Sequence, residues 1–267
     1  MHEKLIHTVD GYSAISILTV IAPSGVHLTI GAPLEIDGML AWLTRHITLL
    51  VGIAAVGTIV GIGITAAYEP TATAAFITAR QLYGLTALGV LLGACIIGPL
   101  AAVLPRLPGK GVLLAGRRAI GVSSCVIAIP HVACYLGPVL LQNWRELFSP
   151  GWLWVVGLVL GLLALLDLLV LAWTSRDPAV KALGGNRWKR LHRTVYVATP
   201  IVLLHAVFVG ADFGFARPPT GEADYGSLIT FAILTAVWLA LAWLRSRGIR
   251  WPARPASPAH PSSETTP

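Results

Sequence analysis

Two histidines in this sequence stand at matched positions in two long apolar stretches. His131 lies 13 residues past Arg118, and His205 lies 12 past Arg193. If each stretch is a helix starting at its arginine, a rise of about 1.5 Å per residue carries the two imidazoles about 20 and 18 Å in. Two imidazoles at one depth on different helices suit a flat metal cofactor held between them. Bis-imidazole ligation of a b-type haem is the chemistry that asks for this arrangement. The bland alternative for one intramembrane histidine is a hydrogen bond to a neighbouring helix. Two at one depth point to function, because ionisable groups are scarce there.

A second group of chemically able residues lies nearer the basic ends of the same stretches. His192 precedes His205 by 13 residues, which on an ideal helix is about 140° of rotation and about 20 Å of height. Pro200 between them can kink the helix, but one haem cannot span that height. His192 therefore has a separate task. Arg117 sits below His131 on the same helix face and, staying protonated, is no iron ligand. Three readings follow: a second haem between His46 and His192, an anion or quinone headgroup held by Arg117, Arg118 and His192, or plain topological charge. Asp167, about 12 Å from the end of its stretch, either pairs with Arg117 or His46 or carries protons to and from a quinone.

The elements that must position these residues follow from composition. The 267-residue chain is 55% hydrophobic and 12% charged, with mean hydropathy +0.75, which excludes an ordinary soluble domain. Six stretches match the roughly 20 residues a bilayer core requires: 43–66, 79–103, 118–141, 152–174, 194–213 and 226–244. With that spacing, 16 of the 19 lysines and arginines fall on one side, and Arg80, Arg145 and Arg217 on the other. The positive-inside rule puts both termini in the cytoplasm, as six spans require. The net charge of +7 is thus topological, and nucleic-acid binding is a poor account of it. Trp42, Trp144, Trp152, Trp173, Trp188, Trp243 and Trp251 fall near span ends, where amphipathic rings prefer to sit. Cys95, Cys125 and Cys134 lie inside spans as small apolar residues, without metal or disulfide spacing.

The expectation is an all-α, polytopic membrane bundle of six helices, with haem between spans three and five. Residues 1–42 form an interfacial or loop extension, 43–245 the transmembrane domain, and 246–267 a disordered cytoplasmic tail rich in Pro, Ser and Thr. The roughly twenty residues after the last span leave no room for a nucleotide-binding domain, so a soluble redox partner is expected as a separate chain.

GRRAIGVSSCVIAIPHVACYL (116–136) followed by LAWTSRDPAVKALGGNRWKRLHRTVYVATPIVLLH (171–205) resembles the ferric-reductase-like transmembrane family, and within it the MsrQ haem-binding subunits. The TS, LG..W..LH..VY and second-His elements come in the family's order, and LYGLTALGVLLGACIIGPL (82–100) resembles its preceding span. The resemblance covers roughly 43–245. It implies that His131 and His205 are axial haem ligands and that His192 matches the first fifth-span histidine. His46 falls where a first-span histidine often stands. Arg117 replaces the second third-span histidine of the related two-haem NADPH oxidases, which speaks against an inner haem and for FMN or a quinone at that end. The extension at 1–42 departs from MsrQ.

The resemblance further implies a haem b subunit of a bacterial cytoplasmic (inner) membrane. It takes electrons from quinol or reduced flavin, through the quinone pool or a cytoplasmic flavin reductase. It delivers them to an outer-side acceptor, a periplasmic molybdopterin-type methionine sulfoxide reductase. A stand-alone transmembrane ferric or other oxidoreductase is the alternative, with Asp212, Glu222 and Asp224 facing an outer cation. A non-redox transporter or scaffold is the alternative of another class, and no inverted repeat supports it.

Overall fold

In the computed structural model the described residues are 18–21, 27–30, 36–142, 151–210 and 225–251. Among these described residues, six helical segments are long and apolar enough to cross a membrane: 38–67, 72–103, 110–137, 152–174, 185–209 and 226–246. The all-α six-span bundle expected from the sequence is what the chain forms. In the first unit, residues 1–45, β1 (Leu18–Ile21) pairs antiparallel with β2 (His27–Ile30), Leu18 opposite Ile30. The reading of 1–42 as interfacial or loop does not anticipate this ladder. The tail beyond 251, Trp144, Arg145 and the acids at 212, 222 and 224 lie outside the described residues.

The helices outrun the apolar stretches that announce them. α1 covers Ile36–Ala67, α2 Ala72–Val103 and α3 Lys110–Gln142. Hydropathy registers only the membrane-long part of each helix. Thr71 caps α2, its hydroxyl accepting from the Ala74 N–H at 3.1 Å, which satisfies one of the four orphan donors of a helix start.

α4 (Trp152–Thr174) ends in the TS pair. The chain then makes two short helices, α5 (Asp177–Leu183) and α6 (Gly185–Leu191), a 3₁₀ turn at His192–Thr194, and α7 (Val195–Val209). Gly184 joins α5 to α6 at φ 72°, ψ 149°, a backbone region that is essentially glycine's alone. Trp188 fastens the return: its indole N–H donates to the Thr174 carbonyl at 3.0 Å, taking up an orphan acceptor at the end of α4. α8 (Tyr225–Ser246) closes the bundle.

α2 is the central helix. Its Leu88, Leu91, Leu92 and Cys95 form the core with Cys125 of α3, Leu168 of α4, and Phe231 and Trp238 of α8. α2 packs most closely on α3, and α4 on α7. In lipid, apolar burial gives helices little reason to associate, so small residues and interhelical hydrogen bonds carry the packing. Ser124 Oγ donates to Ala87 O at 2.8 Å, and Cys95 Sγ lies 3.4 Å from Thr199 Oγ1. Tyr83 OH reaches from α2 to Ile59 O of α1 at 2.8 Å. The outer stripe of α1, Leu49, Ile53, Val56, Val60 and Ile64, is exposed, as expected of a face turned to lipid. Trp42, Trp152, Trp173, Trp243 and Trp251 are exposed near helix ends, whereas Trp188 is packed into the fold.

Candidate functional site

The structure brings His131 of α3 and His205 of α7 together, their ring centroids 6.2 Å apart and their planes at 87°. Both line one cavity of about 380 Å³ between α2, α3, α4 and α7, with walls that include Leu85, Leu88, Leu158, Leu162 and Leu165. Arg80, Gln81 and Tyr135 give it a polar edge. The Arg80 guanidinium lies 5.6 Å from the Tyr135 ring centre, and the Trp154 indole N–H donates to the Tyr135 hydroxyl at 3.3 Å.

Each histidine is held by one nitrogen. His131 Nδ1 is 2.8 Å from Arg80 O, and His205 Nδ1 is 2.8 Å from Gly157 O. A carbonyl oxygen only accepts, so Nδ1 carries the proton in both rings and Nε2 is left with its lone pair. A second nitrogen tied to a backbone carbonyl is the usual support of a metal-ligating imidazole.

The spacing suits a metal between the rings. Two metal–imidazole bonds of about 2 Å end to end, between five-membered rings of about 1 Å radius, put the centroids about 6 Å apart. Among the described residues no group of three or more His, Cys, Asp or Glu is placed to hold a metal ion. His131 and His205, in a slot with apolar walls, are the residues here that could hold a metal cofactor between two imidazoles.

His192 lines a different cavity, of about 750 Å³, with Arg117, Arg118, Lys189, Arg193 and Arg245. The His192 ring stacks on Trp188 at 4.2 Å between centres, and its Nε2 lies 3.3 Å from Thr174 Oγ1. Because that hydroxyl also bonds the Val170 carbonyl at 2.7 Å, its proton is spoken for, and Nε2 of His192 is the donor to it. This is the reverse of the His131 and His205 arrangement.

Arg117 donates from Nε to Ala94 O at 3.1 Å and from Nη2 to Tyr196 OH at 2.9 Å. It lies against Gly98, where an added Cβ would stand 3.1 Å from Nη1. Arg118 pairs at 2.7 Å with Asp177, both side chains well exposed, a contact of small worth. Leu168 lines both cavities, while Leu88 lines the first and Leu91 the second. A wall of leucines therefore separates them.

One expectation changes. Asp167 pairs with neither Arg117 nor His46: its Oδ1 is 2.8 Å from Thr194 Oγ1, at the 3₁₀ turn next to His192, and its buried Oδ2 has no partner among the described residues. The turn brings Thr194 to α4, which the sequence does not reveal. His46 is not among the residues lining the His192 cavity. Sequence reasoning also misses Gly84 and Gly161, which lie against the two histidine rings. Nothing in one sequence distinguishes them from other small residues in a span.

A family model described as ferric reductase like transmembrane component matches residues 78–203, a range that includes His131 and His192 and stops short of His205. Over 91 residues the chain is 38% identical to the magnetosome protein MamZ of Magnetospirillum gryphiswaldense, a match covering 34% of this chain and only 14% of that protein. Over 152 residues it is 32% identical to the protein-methionine-sulfoxide reductase heme-binding subunit MsrQ of Caulobacter vibrioides, covering 57% of this chain and 67% of that one. The MsrQ of Rhodospirillum rubrum is 32% identical over 147 residues, with 53% and 68% covered. No solved structure gives a significant match. From the family model and the extent of the MsrQ matches, this chain belongs to the ferric reductase-like transmembrane family.

Proposed function

We propose that this protein is a membrane electron-transfer subunit that holds one haem b between His131 and His205. The observation that carries the reading is the pair of rings 6.2 Å apart, each with Nδ1 tied to a backbone carbonyl. The heme-binding role in the name of the MsrQ relatives supports it. Haem b supplies one-electron chemistry when bound. His131 and His205 would occupy both axial positions, which favours outer-sphere transfer over binding of a substrate at iron. The leucine walls make most of the slot's lining apolar.

The basic cavity is the proposed entry point. Arg117, Arg118, Lys189, Arg193 and Arg245 offer an anionic or quinone-like donor a cationic cradle, with His192 and Tyr196 as polar partners. FMN and a quinol both fit that chemistry. Asp167, which accepts from Thr194 beside the 3₁₀ turn, would take a proton from that end. Electrons would cross the leucine wall and leave from the His131/His205 end. With positive-inside topology in a bacterial inner membrane, that end faces outward, and the relatives' name makes a methionine sulfoxide reductase the proposed acceptor.

The test is haem content and spectrum in single variants. His131→Ala and His205→Ala, each inserted and folded, should lose most haem and all of the low-spin bis-histidine spectrum. Full haem with an unchanged spectrum in either variant would remove that residue from the ligand set.

A further inference from the structure

The two histidines are seated by the same local device on two different helices. His131 bonds Arg80 O, and four residues on in α2 stands Gly84; His205 bonds Gly157 O, and four residues on in α4 stands Gly161. A helical side chain points back toward the N-terminus and covers the turn before its own Cα. Any side chain at 84 or 161 would thus lie over the ring's resting place. A Cβ at Gly84 would stand 2.8 Å from both Nδ1 and Cε1 of His131. One at Gly161 would stand 2.6 Å from His205 Nδ1 and 2.7 Å from its Cε1. Real Cβ atoms do not come that close, so the ring would have to move and its Nδ1–H···O bond would lengthen or break. Gly93, also in α2, has open space for a methyl, with nothing within 4 Å of where its Cβ would stand.

We propose that Gly84 and Gly161 are positioning residues: each uncovers the carbonyl one turn before it, so that the histidine lying there is locked as the Nδ1–H tautomer with Nε2 free as a metal donor. The inference rests on the haem reading above and adds the residues that make the two imidazoles competent. The α2–α3 and α4–α7 pairs then act as two half-sites of one design, each with a ligand helix lying on a glycine-bearing helix. Hydrogen bonding at Nδ1 raises the basicity of Nε2, and loss of such support commonly weakens metal binding by about 10- to 100-fold.

The test uses the full chain in detergent or nanodiscs. Wild type is measured first, and absence of a low-spin bis-histidine haem there would defeat the haem reading itself. Given that signal, Gly84→Ala and Gly161→Ala should each bind haem about 10- to 100-fold more weakly. They should also shift the ferric low-spin g-values and raise the midpoint potential, since a less basic imidazole favours ferric iron less. Gly93→Ala should match wild type in all three. If both test variants match Gly93→Ala, the proposal is overturned while the haem reading stands. Proton and deuterium ENDOR on ferric wild type needs no variant: two exchangeable, hydrogen-bonded Nδ1 protons are expected. One or none would overturn the proposal even if a variant failed to fold.

Discussion

Arg117 makes the basic cavity's role measurable. A guanidinium has five N–H donors. One goes to Ala94 O and one to Tyr196 OH, which leaves three N–H groups and the full positive charge for a ligand in the cavity that Arg117 lines. A hydrogen bond to a charged group contributes about 1.5–3 kcal/mol, and about 1.4 kcal/mol is tenfold in affinity. Arg117→Gln should therefore weaken FMN binding by about 10- to 150-fold. Arg117→Lys keeps the charge but lacks the fork that reaches Ala94 O and Tyr196 OH together, and should fall between. Fluorescence quenching with FMN and with riboflavin, which lacks the phosphate, separates charge recognition from ring stacking. The Gln variant should lose FMN affinity and keep what riboflavin affinity there is. FMN affinity within twofold of wild type, or an equal loss for both flavins, would refute the anion-cradle reasoning.

Three further outcomes are expected. His192→Ala should leave the bis-histidine spectrum in place, because His192 lines the other cavity, while stopped-flow reduction by dihydroflavin or quinol slows. Gly157→Ala forces a methyl into Val209 and Phe208. Such overpacking costs about 1–3 kcal/mol, and a fluorescence-detected melting scan should show α7 loosened from α4 as a lowered Tm. In proteoliposomes of one orientation, an impermeant oxidant on the side of the α4 N-terminus should reoxidise the haem quickly, and the same oxidant at the Arg117 end slowly; equal rates would sink vectorial transfer.

How far the site is legible depends on which interactions are local. The spans are readable because a bilayer demands about 20 apolar residues whatever their neighbours. The meeting of His131 and His205 is readable from rise per residue, since both helices travel the same way from an arginine. The seats are not: Arg80 O and Gly157 O belong to other helices, and a backbone carbonyl leaves no mark on the sequence. The partner of Asp167 escapes for a similar reason. Apolar sequence starts span five at 194, so the 3₁₀ turn at His192–Thr194, which delivers Thr194 to α4, goes unseen. Gly184 signals a break, but only the Trp188 bond to Thr174 O shows where the returning chain is fastened.

The central claim is that two neutral imidazoles, those of His131 and His205, hold one haem between them. Near-infrared magnetic circular dichroism of the ferric wild-type protein reads the axial ligand pair directly. A single low-spin species is predicted, with the charge-transfer band of bis-neutral-imidazole ligation, lost in His131→Ala and in His205→Ala alike. A high-spin spectrum, a band assigning a ligand other than imidazole, or a protein without haem after expression with ample haem supply would contradict it.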